Sequence, residues 1–415
     1  MKKRILSVLL LCCMVLGLLP TTAFATGELR DSTNVTVTFD STGGSAVEPQ
    51  SVTQGQLVQR PADPIKDGYT FIGWYNKDDL QYINMPEWNF SYPVTKDLEL
   101  VAQWMEARPI STEPITYLDK DGKQQVCNEY TVLTSETKES ILDYTDKWYD
   151  LPAGWYVVKG DVTITPRLDT HGEVNLILTD GSHLTAEWGI NVKEGDTFTV
   201  YAQSTGEDTM GRLTACLPED FNSDGNVRYY VWPDRGLSGI GAGKRCREAN
   251  IIYENEGTII INGGNIQAKG QRQASAIGGP YSRTVIPSQD IPRQGGTIII
   301  NGGIVRTEAL EKGNDTVVES VGIGTCQFGY GGSVTINGGT VIAEAANDAI
   351  TTGQGGSITI NGGDVTAHGG INNFEHQALD MLSGNGIGPY FDGTVTINGG
   401  HVKALADGKS CGIGG

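Results

Sequence analysis

The residues best suited to hold an ion lie in DFNSDGN, residues 220–226. Asp220, Asn222 and Asp224 occupy positions one, three and five of a calcium loop, Gly225 the sixth and Val227 the apolar eighth. The twelfth position is Val231, where a bidentate carboxylate belongs. The expected chemistry is therefore calcium binding that is at most weak, with a polar turn as the plainer reading. No other cofactor is expected. Tyr229, Tyr230 and Trp232 follow directly and offer ring faces for stacking on a sugar. Trp148, Tyr149, Trp155 and Tyr156 form a second aromatic cluster, and burial in a cap is the commoner fate of such groups. The histidines, His171, His183, His368, His376 and His401, show no metal-ligand spacing and are expected at the surface.

These groups must be positioned by a glycine-rich, turn-rich chain. The 415 residues include 56 glycines, 38% are hydrophobic, and 49 acidic residues face 30 basic ones. The length suffices for two or three domains, and the net charge of −19 makes nucleic acid and anionic lipid poor partners. Residues 1–25 combine Lys2, Lys3 and Arg4, an apolar run from Ile5 to Leu19 and Ala23-Phe24-Ala25. That is the three-part pattern of a secretory signal peptide, and it predicts a secreted or cell-surface protein. No later segment approaches the ~20 apolar residues of a membrane span, so no integral membrane segment is expected after signal removal. The five remaining cysteines are too few and too scattered for a disulfide framework, and buried small apolar positions are expected for them.

Self-similarity dominates the C-terminal half. TIIINGGNIQA, TIIINGGIVRT, SVTINGGTVIA, SITINGGDVTA and TVTINGGHVKA begin at Thr258, Thr297, Ser333, Ser357 and Thr394. Their corner asparagines, Asn262, Asn301, Asn337, Asn361 and Asn398, are 39, 36, 24 and 37 residues apart. A small-Ile-Gly sub-motif recurs at Ile240, Ile277, Ile323, Ile387 and Ile413. Each unit supplies a β-branched strand, an Asn-Gly-Gly corner suited to φ > 0, a second alternating strand and a third short apolar one. The 24-residue spacing fits one bare coil of three strands, and the longer spacings fit the same coil with surface insertions. Stacked at about 4.8 Å, the coils would form a right-handed parallel β-helix over 151–415. The asparagine side chains would then form a structural corner ladder. Residues Ile266, Val305, Val341, Val365 and Val402 would line the interior, with Asn265, Ile304, Thr340, Asp364 and His401 facing out. VNLILTDGSHLTA, from Val174, is a degenerate unit in which Asp180-Gly181 replaces the corner. Residues 107–150 are expected to be a linker and N-terminal cap, with a helical turn in SETKESILDYTDKW from Ser135. The sequence ends inside the small-Ile-Gly motif with no capping segment behind it, which predicts a fragment of a longer chain.

Before the repeats, residues 33–106 carry TFDSTGG, Pro61 and Pro64, GYTFIGWY, Trp88-Asn89-Phe90 and a closing VAQW. This order resembles the Listeria–Bacteroides repeat, the B-repeat of internalin B. The resemblance implies a small β-grasp-like domain of bacterial surface proteins and no catalysis. The region from 110 onward resembles glycine-rich β-helical surface proteins of Gram-positive anaerobes, often described as carbohydrate-binding. The fold class expected is mainly β: a β-grasp-like module followed by a parallel β-helical solenoid.

A glycosidase would need two carboxylates about 5–9.5 Å apart, and no acidic ladder follows the Gly-Gly corners. The function expected is therefore non-catalytic: adhesion, or binding of a polysaccharide or host-surface ligand. A passive surface stalk is the alternative reading, and a β-helix polysaccharide lyase or hydrolase the more distant one.

Overall fold

The computed structural model describes residues 33–80, 87–136, 148–216, 237–247, 250–270, 274–279, 293–310, 320–326, 329–371, 384–407 and 410–414. The leader, Asp220, Asn222, Asp224, Tyr229, Tyr230 and Trp232 lie outside them, as does most of the segment from Ser135 to Trp148. The chain is mainly β, with long parallel sheets. Among the described residues the only helical element is the 3₁₀ turn Lys77–Asp79. No helix there is long and apolar enough to cross a membrane, which says nothing about strands.

The described chain divides into two compact units, one of residues up to 38 with 48–61 and 89–99, the other of 39–47, 62–88 and 100–415. Strands β1 (Asn34–Asp40), β2 (Gln50–Thr53), β3 (Tyr69–Asn76) and β4 (Leu98–Glu106) form a four-stranded sheet in the order β2-β1-β4-β3. In β1 the apolar residues Val35, Val37 and Phe39 alternate with exposed polar ones, so one face is buried. In the larger unit Trp74 is wholly buried, edge-on to Phe39 at 5.1 Å and to Phe71 at 5.5 Å. Burying each such ring is worth roughly 1.5–3 kcal/mol, which is why so small a sheet uses its aromatics as core. The Trp104 indole donates to the Ser41 carbonyl at 3.0 Å and packs on Gly44, where a Cβ would lie 2.6 Å from the ring.

Beyond residue 150 the chain visits three faces in turn. Leu168–Leu178, Thr197–Ala202, Thr258–Ile261, Arg293–Ile300, Gly329–Ile336, Ser357–Ile360 and Thr394–Ile397 pair in parallel as the first face. Asp161–Ile164, His183–Ala186, Arg212–Cys216, Asn265–Lys269, Ile304–Ala309, Thr340–Ala345, Asp364–Gly369 and His401–Ala406 form an eight-stranded second face. Short strands such as Ile190–Asn191, Ser275–Gly278 and Val321–Gly324 make the third. This connectivity is compatible with a solenoid.

The register places one residue per layer in each interior column. Leu176, Val200, Ile261, Ile300, Ile336 and Ile360 stack on the first face, and Leu184, Leu213, Ile266, Val305, Val341 and Val365 on the second. All of these are at most 1% exposed. β-Branched residues repeat because they suit a pleated surface packed on both neighbours.

At each Asn-Gly-Gly corner the second glycine carries the positive φ, as at Gly339 (φ 83°). Three expectations need correction. Asn265 and Ile304 are buried, because the loop carrying Glu207 and buried Met210 reaches across the second face as far as Arg306, 3.1 Å from Glu207. His171 is buried, held by carboxylates described below. Cys127, Cys216, Cys326 and Cys411 are free thiols, of which Cys127 and Cys326 are buried, but Cys216 is half-buried and Cys411 exposed in the last described layer.

Candidate functional site

A shallow groove of about 710 Å³ opens on the outer side of the first face. One wall is a hairpin, Ile115–Leu118 paired with Gln124–Cys127. Its turn is fixed by the Asp119 carboxylate, which accepts the backbone N–H groups of Asp121 (3.0 Å) and Lys123 (2.9 Å) and the Gln125 amide (2.7 Å). Gln203 donates its side-chain amide to the Thr116 carbonyl at 3.0 Å, tying the hairpin to the first face. Apolar packing adds to this tie: Ile115, Cys127 and Tyr130 bury against Val157 and Ile177, outward-pointing residues of the first two layers.

At the head of the groove, Tyr117 meets Trp155 at 5.0 Å and Tyr201 edge-on at 4.8 Å, and Trp155 stacks on Tyr201 at 5.3 Å. The floor carries Thr197, Thr199, Ile260 and Ile299. Along the side run Asn262, Asn301 and Asn337, in the same column as Tyr201. Each asparagine Nδ2 donates to the Oδ1 one layer back: Asn301 to Asn262 and Asn337 to Asn301 at 2.7 Å, Asn361 to Asn337 and Asn398 to Asn361 at 2.8 Å. An amide has two N–H donors and two acceptor lone pairs, so a mid-ladder asparagine keeps one of each for a ligand.

Asp119, Asp121 and Glu173 supply negative charge at the groove. Burial first, then the charges of Tyr117, Glu173 and Asp119, pushes the Tyr201 phenol up to about 12. Burial likewise raises Tyr117. The hydrogen bond from the Lys123 backbone N–H, then that from Gln125, holds Asp119 below its usual range. Near neutrality the phenols thus stay protonated and Asp119 stays ionised, so neither is poised to transfer a proton.

A second polar cluster lies inside the third-face corner of the early layers. Asp150, Asp169 and Asn191 share a column on successive layers, and the Asn191 amide donates to Asp169 at 2.7 Å. Lys193 donates to the Thr170 carbonyl at 2.6 Å and to Asp196 at 2.9 Å, and lies 3.8 Å from Asp169. Burial pushes the Asp196 carboxyl up, against the pull of Lys193. Arg167 donates to the carbonyls of Trp188, Ser238, Ile190 and Gly241 at 2.6–3.3 Å. His171 Nε2 is 2.9 Å from Asp150 and 3.6 Å from Asp169, and these three residues offer ligand atoms within 4.8 Å of one another. The set fits a metal poorly. Lys193 already supplies positive charge beside Asp169, and an imidazole ligated through Nε2 must carry its proton on Nδ1, which is buried without a partner among the described residues. The cluster cross-links layers.

The residues read from the sequence as calcium ligands, Asp220, Asn222 and Asp224, and as sugar-stacking rings, Tyr229, Tyr230 and Trp232, lie outside the described residues. Of the second aromatic cluster, Tyr149 and Tyr156 are buried, while Trp155 is half-buried and packs against the groove residues Tyr117 and Tyr201. Tyr117, Glu173 and Tyr201 had no motif to mark them. For the third-face cluster, the Asp169-Thr170-His171 run was the one available signal.

The model of the Listeria-Bacteroides repeat domain matches residues 36–103. Two proteins of Evansella cellulosilytica are similar to parts of the chain. One, named "Putative Gly-rich membrane protein", is 29% identical over 161 residues, 38% of this chain and 16% of that protein. The other, named "Putative membrane protein", is 36% identical over 70 residues, 17% of this chain and 10% of that protein. The chain thus aligns with less than a fifth of either relative's length. No solved structure matches significantly.

Proposed function

We propose that this chain is a non-catalytic bacterial surface protein that binds a saccharide in the groove headed by Tyr117 and Tyr201, with Trp155 packed against both. In this reading residues 1–25 are a signal peptide, 33–106 a β-grasp-like module, 107–150 a linker and cap, and 151–415 a right-handed parallel β-helix. Surface display is supported by the repeat-domain match and by relatives named as membrane proteins. The observation that carries the binding claim is the pairing of half-buried aromatic rings with a fixed column of side-chain amides. Sugar rings present apolar C–H faces and hydroxyls that both donate and accept, which aromatic faces and half-used amides complement. A volume of about 710 Å³ suits a few sugar units. The non-catalytic part is supported by the Asp119 carboxylate being engaged by two backbone N–H groups and the Gln125 amide, and by Lys120 lying 2.8 Å from Asp121.

The test is an oligosaccharide array followed by calorimetry on the whole chain. Binding that Tyr201→Ala abolishes while the circular dichroism spectrum is retained supports the proposal. Unchanged binding by that variant moves the site elsewhere, and no binding to any saccharide leaves the stalk.

A further inference from the structure

We infer that the groove selects a saccharide bearing free amino groups, a glucosamine-type polycation, over neutral or acidic polymers; this rests on the saccharide reading above. Three carboxylates line the groove, Asp119, Asp121 and Glu173, against one cation, Lys120. Lys120 is already spent: its Nζ lies 2.8 Å from Asp121. Glu173 is exposed, and its carboxylate accepts from the uncharged Asn175 amide at 3.3 Å. Among the described residues no cation pairs with it, so it is the charge most available to a ligand. After burial and the Tyr117 charge, the charges of Glu173 and Asp119 also push the Tyr201 phenol up.

The dimensions agree. Glu173 is in register with Thr197, four residues before Tyr201, so the two walls stand about 13 Å apart along the strands. The layers holding Asn262, Asn301 and Asn337 add about 10 Å in the other direction. A short oligosaccharide can lie over the amides and hydroxyls while an ammonium reaches Glu173 and another approaches the Tyr201 ring face. An acidic polysaccharide would meet uncompensated carboxylates. A basic peptide shares the charge but has few hydroxyls to use the donor-acceptor pairs of the ladder, so the saccharide is favoured.

The whole chain is titrated with the hexamers of glucosamine, N-acetylglucosamine and galacturonic acid, and with hexalysine, at low and high salt. The expected result is tightest binding of the glucosamine hexamer, weakened by salt and weakened roughly threefold by Glu173→Gln, as befits one exposed ion pair. The same variant weakens the N-acetylglucosamine hexamer less than it weakens the glucosamine hexamer, so the preference between the two shrinks. Equal affinity for the acetylated and free-amine hexamers overturns the inference and leaves the saccharide groove standing. Hexalysine binding as tightly as the glucosamine hexamer overturns the choice of a saccharide. Failure of every hexamer to bind overturns the groove itself.

Discussion

Asp348 gives the sharpest test of how the layers are held together. It sits in the corner between Thr340–Ala345 and Ile350–Thr351, 5% exposed, and its Oδ1 accepts the Asn385 backbone N–H at 2.7 Å. Burial pushes its carboxyl up to about 6, against the pull of the hydrogen bonds from Asn385. An unfolded aspartate titrates near 4, so folding takes up a proton between about pH 4 and pH 6. Because the folded value is the higher one, stability falls as pH rises through that window and levels off above it. Two units correspond to about 3 kcal/mol carried by the ionised form. Asp348→Asn keeps an oxygen for the Asn385 N–H and removes the charge. It should therefore stabilise the protein by up to ~3 kcal/mol near pH 7 and by nearly nothing near pH 4. The assay is thermal or urea unfolding of both proteins from pH 4 to 8, read as the difference between them, in which all other titrating groups cancel. A difference that does not change with pH refutes the reasoning. So does a destabilised variant at neutral pH, since the hydrogen bonds to the charged carboxylate would then outweigh its burial.

Asn337→Ala removes one ladder bond given and one received, both exposed, and should lower stability by about 1–2 kcal/mol in denaturant unfolding. Lys193→Met leaves Asp169 and Asp196 buried without their cation, and should cost roughly 3 kcal/mol near neutrality; burial already raises Asp196, so the cost should shrink as acid protonates it, measured by unfolding at both pH values. Gly339→Ala places a Cβ 2.6 Å from the Gly303 carbonyl oxygen at φ 83°, and should lower the melting midpoint by several degrees through a loss of at least ~1–2 kcal/mol.

The sequence alone determines the mainly β class and the repeating unit. Val, Ile and Thr alternate around Asn-Gly-Gly corners, whose residue types suit a backbone with φ > 0. Such signals are local: each strand and corner is specified by its own few residues, so they survive without tertiary information. The repeat-domain module is legible for the same reason, through its closely spaced aromatic box. The groove was not legible. Tyr117, Trp155 and Tyr201 carry no common motif, and they meet only because a hairpin folds back onto the first face. Asp150, Asp169 and His171 were hidden by the same physics. Parallel stacking brings residues one layer apart to about 4.8 Å, but the early layers lack the asparagine corner that would announce their register. With loops of variable length between layers, only the folded register decides which side chains become neighbours.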